Sequence, residues 1–482
     1  MSTRRVSALE VIIWITLFLF VLLAFSPYVI GYKAKSDYTN LINQMSKISQ
    51  HDLHVSNYSQ GFFSSQATVV LNLPQYPEPV LFKEEIVHGP VYLGLINQGK
   101  SPFIAAVIKG ELDMEAAQLK TIKSILSGSG PVVYQHLISF NGNVDSQVYV
   151  PAINTLIQDG ETTVHLESSG VIYTQFLSSA DNSIKGEMTV PSFKVKEENF
   201  DMILKGSVVN FSGHKGSTQL MIGDSVASVD VINIDSAEEQ FAVKKLIVHS
   251  ITSEEGELIN SGAQISAREV LVSNQKIGPV ALNLSINGLN ANSLLLLEKM
   301  IIDLDNQAAQ GVPEEKINNL MTSQMMVIMP DLIKQAELNI NPLSFNSELG
   351  RLEADMEFKL DRVEGDISTN PFGLFNAVNF HLNLSIDEPL IRKIIAWNLD
   401  NDTGSSKSSA IHNTINHEQV AQKVDENLKA LMDVNWLVKD EGVYLSKISM
   451  QNSELLINDT SVDALQQIMS TVGSGINGAS AQ

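Results

Sequence analysis

The sequence predicts an α+β protein, predominantly antiparallel β with packed amphipathic helices, carried behind one N-terminal transmembrane helix. Three observations predict it. Val11 to Gly31 is uncharged throughout. From His54 to about Ala291 apolar and polar residues alternate with a period of two, which gives strands one buried and one wet face. Beyond Asn292 apolar residues recur at three- and four-residue spacing and so gather on one side of a helix.

The uncharged run comes first. At about 1.5 Å of helix rise per residue it reaches roughly 30 Å, the thickness of a bilayer's hydrocarbon core. Residues 9–32 are therefore assigned as a single-pass anchor behind a short tail, residues 1–8. Arg4 and Arg5 precede the span and Lys33 and Lys35 follow it. The bias is nearly even, and the brief cationic leader favours a cytoplasmic N-terminus with the bulk of the chain in the periplasm. A cleaved signal peptide is the competing reading, since Ala24 and Ser26 are spaced as a cleavage site requires; Pro27 after the cut and the length of the run speak against it.

After the anchor, Tyr38, Leu41, Ile42, Met45 and Ile48 recur at helical spacing, which predicts an amphipathic helix over 34–49. The β-rich region, residues 33–291, reads as strands at Thr68-Val-Val-Leu-Asn-Leu-Pro, Thr163-Val-His-Leu-Glu, Gly186-Glu-Met-Thr-Val-Pro, Ser228-Val-Asp-Val-Ile-Asn-Ile and Ala281-Leu-Asn-Leu-Ser-Ile. One helix, about Asp113 to Ser127, interrupts it. A helical segment, residues 292–340, follows: Leu294, Leu297, Ile301 and Leu304 mark its first helix, and Pro313-Glu-Glu opens its second, with proline and acids where a first turn favours them. Pro330 is expected to kink or end that helix. A second α+β region, residues 341–470, holds strands from Leu352 to Leu360, helices over 388–399 and 418–432, and a hairpin turning at Asp440-Glu-Gly442. The run from Asn401 to Thr414 reads as a linker and residues 471–482 as a flexible tail. Leu282-Asn-Leu-Ser-Ile286 and Leu382-Asn-Leu-Ser-Ile386 are identical, and each leads into an apolar helix; a duplicated unit and a short strand alphabet both account for the echo.

Composition excludes several function classes. The 482 residues carry a formal charge of −22, so no phosphate-binding surface for nucleic acid is expected. Hydrophobic residues make up 44% and charged ones 18%, a globular balance. There is no cysteine, which rules out a disulfide framework and a lipid-modified cysteine.

The motifs that invite chemistry are few. Gly94-Leu-Ile-Asn-Gln-Gly99-Lys100-Ser101 satisfies the phosphate-loop pattern, but Pro102 disfavours the helix such a loop must enter, and His88-Gly-Pro90 puts a turn where its strand belongs; a plain turn is expected. His88, between Val87 and Gly89-Pro90, is a histidine that either bonds its own turn or, with Glu84 and Glu85 nearby, serves a hydrolytic cleft. His51 and His54 lack a third metal ligand, and Asp181-Asn-Ser-Ile-Lys-Gly186 and Asp400-Asn-Asp-Thr-Gly404 lack a calcium loop's downstream glutamate. Neither a metal nor a cofactor is expected. Met321, Met325 and Met329 form a stripe suited either to core filling or to greeting a partner or lipid chain.

The basic leader and anchor, Tyr58-Ser-Gln-Gly61-Phe-Phe-Ser-Ser65, His88-Gly89-Pro90, Gly442-Val-Tyr-Leu and Leu455-Leu-Ile-Asn458 together resemble the YdgA-like proteins of Gram-negative bacteria, a family of unknown function, over most of Lys33 to Thr460. The resemblance implies an inner-membrane anchor, a periplasmic body and self-association as a homodimer, and it supplies no active site. The resulting expectation is a non-enzymatic envelope protein that binds or bridges a protein partner or an amphipathic ligand such as lipid, with His88, Gly89, Pro90, Met321, Met325 and Met329 as candidate structural or ligand-surface residues. A periplasmic hydrolase using a His88-centred cleft is the alternative.

Overall fold

A computed structural model describes residues 38–39, 42–43, 46, 52–72, 79–113, 125–126, 130–159, 162–236, 240–272, 275–309, 311–360, 377–403, 417–451 and 454–462. The tail 1–8, the anchor 9–32, most of the helix expected over 113–127 and the tail 471–482 lie outside them. No helix among the described residues is long and apolar enough to cross a membrane. The chain divides into two compact units, residues 1–215 with 302–317, and 216–301 with 318–482. The break at 215/216 falls inside the stretch 33–291 that the alternation makes look uniform.

The first unit is an antiparallel meander. Strands β1 (Asp52–Gln60), β2 (Ser64–Asn72), β3 (Val80–His88), β4 (Ala106–Leu112), β5 (Val133–Ile138) and β6 (Val144–Val150) pair in sequence order. The hairpin of β7 (Ile153–Asp159) and β8 (Thr162–Ser168) is then set aside, and β9 (Val171–Leu177) pairs with β6. The long strand β10 (Ser183–Glu197) takes β9 along its first half and β8 along its second, with β11 (Phe200–Lys215) on its other edge. Alternation decides the faces: Ala67, Val69, Ile86 and Ile108 turn inward and pack with Tyr38 and Ile42. Residues 38, 39, 42, 43 and 46 are helical, as the spacing of Tyr38 and Ile42 predicts. On the other face a six-residue 3-10 turn, Leu93–Gln98, folds over the sheet end and buries Leu95 against Ile104, Val107 and Leu137.

The second unit continues the same architecture. Strands β12 (Met221–Ser236) and β13 (Gln240–Glu255) pair; β13 then takes both β14 (Leu258–Ala267) and β15 (Glu269–Val272), and β16 (Gln275–Asn290) closes on those two. Helices α1 (Ala291–Ala309) and α2 (Glu314–Leu332), whose residues 302–317 are grouped with the first unit, follow before β17 (Glu337–Ser347) returns beside β16, succeeded by β18 (Gly350–Leu360) and β19 (Val378–Asp387). Helices α3 (Glu388–Thr403) and α4 (His417–Asp433) lead to β20 (Val438–Asp440) and β21 (Val443–Gln451), with β21 beside β19 and a closing pair β22 (Glu454–Ile457) and β23 (Thr460–Val462). Both copies of Leu-Asn-Leu-Ser-Ile thus lie in a strand that enters two successive helices and is rejoined by an antiparallel neighbour. The predominantly antiparallel β fold with few helices is what the alternation predicts.

Local chemistry explains the helix ends and faces. The Asn290 side chain accepts from Ser293 N at 2.9 Å and caps α1. Its buried stripe runs Ala291, Met300, Leu304, so Ile301, expected inside, is exposed and Met300 takes its place. Pro330 lies within α2, which ends two residues later at Leu332. Helix α4 presents Val420, Val424, Leu428 and Met432 at four-residue intervals to Leu390 and Ile391 of α3 and to Tyr444, forming the core of this unit.

Candidate functional site

His88 ends β3 with its ring buried, 3% exposed, and Ser65 beside it is 1% exposed. Ser65 Oγ lies 2.8 Å from His88 Nε2, and His88 Nδ1 lies 3.3 Å from the Phe62 carbonyl oxygen. One proton arrangement satisfies both contacts: Nδ1–H donates to the carbonyl, and Nε2 accepts from the serine hydroxyl. The backbone completes the clasp, with His88 N donating to Phe63 O and Gly89 N to Ala105 O. A β-carbon on Gly89 would sit 1.9 Å from Ile104 O, so the close approach requires glycine. Two of the segments singled out in the sequence, Tyr58–Ser65 and His88–Pro90, are therefore one structural knot. A serine nucleophile needs an accessible oxygen and a carboxylate-oriented imidazole; this pair has a carbonyl instead and both members are shut away from solvent. Glu84 and Glu85 do not join it.

Glu84 points into the core instead. Tyr38 Oη and Tyr134 Oη each donate to one of its carboxylate oxygens. Burial raises its pKa above the usual glutamate value against the pull of those two bonds, and both phenols are pushed up, first by burial and then by the adjacent carboxylate. His136, on the same face, is pulled down to about 4 by burial, with Nδ1 2.8 Å from Ser146 Oγ. The sequence carried a signal for Glu84: it occupies the inward phase of β3, with Ile86 and His88, where an apolar residue is the rule.

The outward phase of the same strands builds a concave basin of about 860 Å3. In register across it, Lys83 stands opposite Glu111, and Glu85 opposite Lys109. Lys109 Nζ donates to Tyr92 Oη at 2.7 Å, just ahead of the Leu93–Gln98 turn. Gln135 and Tyr149 line the β5 and β6 side. Gln135 Nε2 is buried and meets no acceptor among the described residues. A buried donor without a partner costs about 1–3 kcal/mol, a deficit that a carbonyl or carboxylate entering the basin would remove once the Gln135 amide turned outward to meet it. Sequence reading passed over this basin, because its residues are ordinary wet-face polar residues that only strand register brings together.

Two of the remaining motifs, Gly94–Ser101 and Asp181–Gly186, hold turns, whereas residues 400–403 of Asp400–Gly404 end helix α3 and Gly404 lies outside the described residues. Gly99 adopts a left-handed conformation at φ 69° closing the Leu93–Gln98 turn, Tyr92 N donates to Pro102 O, and Lys100 Nζ lies 2.7 Å from Asp145 Oδ2. No helix follows it, so Gly94–Ser101 cradles nothing. Asp181 Oδ1 accepts from Ser183 N and Oγ at the β9–β10 turn. Among the described residues no three His, Asp or Glu side chains are grouped to hold a metal ion. Along α2, Met325 and Met329 are half-buried, whereas Met321 is exposed together with Met326 and Val327.

A bacterial family described only as of unknown function, DUF945, matches residues 8–464. No curated protein and no solved structure matches.

Proposed function

The chain belongs to the bacterial DUF945 family, and from that premise we propose that it is a membrane-anchored envelope protein with a non-enzymatic binding role, its basin on the outer phase of β2–β6 taking a segment of a partner protein. Gln135 carries this reading: a buried amide donor in a concave floor calls for an acceptor, and none is found among the described residues. The flanking pairs of Lys83 with Glu111 and Glu85 with Lys109 supply both signs of charge, which suits a polypeptide rather than a hydrocarbon chain. The uncharged run from Val11 to Gly31 supports an inner-membrane anchor with the body in the periplasm, and the YdgA-like resemblance supports the same placement and a homodimer. The buried Ser65–His88 knot counts against the hydrolase reading.

Site-specific photo-crosslinking in cells tests it. A photoreactive residue replacing Tyr149 should yield one discrete adduct, and the double variant Lys83→Glu, Lys109→Glu should abolish that adduct without lowering the amount of protein. Adducts that are absent, or indifferent to charge reversal, would refute a binding role for the basin.

A further inference from the structure

At one end of the first unit the sheet is greasy where it ought to be wet. Phe62 and Phe63 in the β1–β2 turn, Leu93, Ile96 and Phe103 in the β3–β4 connection and Phe140 in the β5–β6 turn are all exposed, Phe63, Leu93, Phe103 and Phe140 to 60% or more. An antiparallel meander places these three alternate connections at the same end. They touch there: Phe62 and Phe63 bond His88 at the foot of the second connection, and Ala105 N donates to Ile138 O beside the third. The rim is also nearly free of charge, since residues 61–63, 89–105 and 139–143 contain one ionisable side chain that is charged at neutral pH, Lys100. In a chain of net charge −22 that is a marked local departure. The exposed residues are surplus to packing, because Leu95 in the same turn already fills the core beneath. Phe62 and Phe63 are tied to the sheet through their carbonyls, which His88 bonds. A contiguous apolar patch of this kind marks an interaction surface.

The path of the chain says which surface. Ser46 Oγ accepts from Leu53 N at the start of β1, whereas Tyr38 meets Glu84 and packs 6.1 Å from Tyr58 near the end of β1. Going back along the helix from Ser46 to Tyr38 therefore runs toward the greasy end. From Tyr58 and Glu84 to that rim is roughly 10–15 Å along the strands. Six residues, 32–37, separate Tyr38 from the last residue of the uncharged run. They span about 9 Å as helix and about 20 Å when extended, so this length of chain suffices to bring the end of the uncharged run level with the rim. Lys33 and Lys35 directly follow the uncharged run in the sequence, and theirs is the sign that anionic lipid headgroups attract.

We propose that this rim dips into the headgroup region of the leaflet from which the chain emerges, so that the first unit lies docked on the bilayer, held at two places. The inference rests on the anchor reading above and adds a second, independent contact to it. Aromatic side chains at the interface and a basic residue beside them are the side chains that such insertion uses. Because the chain has no cysteine, a single fluorophore reports each position cleanly. Full-length variants Phe63→Cys, Phe103→Cys and Phe140→Cys, with Asp52→Cys at the opposite end of β1 as reference, carry an environment-sensitive label and are reconstituted into vesicles of phosphatidylethanolamine and phosphatidylglycerol containing a shallow nitroxide lipid. Quenching several-fold stronger at the three rim positions than at residue 52 is expected. Equal quenching in protein that floats with the vesicles would overturn docking while leaving the anchor intact. Protein that does not float would overturn both. Rim labels already shielded in detergent, crosslinking as dimers and unquenched by lipid, would overturn it by assigning the rim to a second copy of the chain.

Discussion

Sealed against Tyr38 and Tyr134, the Glu84 carboxyl makes folding sensitive to pH. Its folded pKa is raised, so below the ordinary glutamate value both folded and unfolded chains hold the proton and its contribution is complete; as pH rises through the folded value the fold must ionise a buried group and stability falls. His136 acts on the acid side. Its folded pKa of about 4 is depressed, so stability is complete above the ordinary histidine value and is lost as pH falls toward 4 and below, by roughly 3–4 kcal/mol in full. Glu84 therefore adds a limb of falling stability as pH rises from the ordinary glutamate value, and Glu84→Gln should flatten that limb in melting measured upward from pH 4, because an amide does not titrate. An unchanged limb would mean that Glu84 is solvated. Ser65→Ala strands a buried imidazole nitrogen and should lower stability by about 1–3 kcal/mol in denaturant titrations, with Phe62 and Phe63 loosened as a result. Sequence alone placed His88 in a turn but could not say which atoms it meets, because Ser65 is 23 positions away and joins it only through the β2–β3 register. Glu84 was more legible than its role: its phase in β3 announces burial, yet its two phenols come from distant segments.

At the level of elements, two glycines separate backbone conformation from crowding. Glu441 and Gly442 form the β20–β21 turn at φ 44° and 90°, and nothing stands within 4 Å of a β-carbon on Gly442. Gly442→Ala should then cost only the left-handed penalty, about 1 kcal/mol. Gly89→Ala would drive its β-carbon into the Ile104 and Ala105 carbonyl oxygens and break the bond from Gly89 N, so a loss above about 2 kcal/mol is expected. Comparing the two variants by thermal melting checks the order; a milder effect at Gly89 would mean that the knot yields. The hairpin at Asp440-Glu-Gly442 was legible because Gly442 meets the positive φ that its position demands. Strand identity was legible for the same kind of local reason, since period two shows in any window. The break at 215/216 was not, because β11 and β12 alternate alike on either side of it. Helix phase was half legible: Leu304 faces inward as its spacing requires, while Met300 displaced Ile301 because one residue of rotation leaves the sequence pattern almost unchanged.

Over the whole molecule the dominant fact is charge. A net −22 with a pI near 4.8 means that every folded arrangement crowds like charges that the expanded chain can separate. The ion pairs that offset this are mostly solvent-exposed, such as Lys245 with Asp230 and Lys447 with Asp459, and such pairs contribute about 0–1 kcal/mol each. Salt weakens both effects, but the repulsion is summed over many carboxylates at long range, where a Debye length of about 10 Å at 0.1 M removes most of it, whereas the pairs act at contact. Repulsion should therefore lose more. Raising sodium chloride from about 0.01 to 0.5 M at neutral pH, a range over which the Debye length falls from roughly 30 to under 5 Å, is expected to raise the melting temperature of the detergent-solubilised full chain by several degrees. Potassium chloride should do the same, since screening depends on ionic strength and not on the identity of the cation. A melting temperature that falls with salt would show that the surface ion pairs outweigh the net charge, and a rise confined to one cation would point to a specific ion site instead.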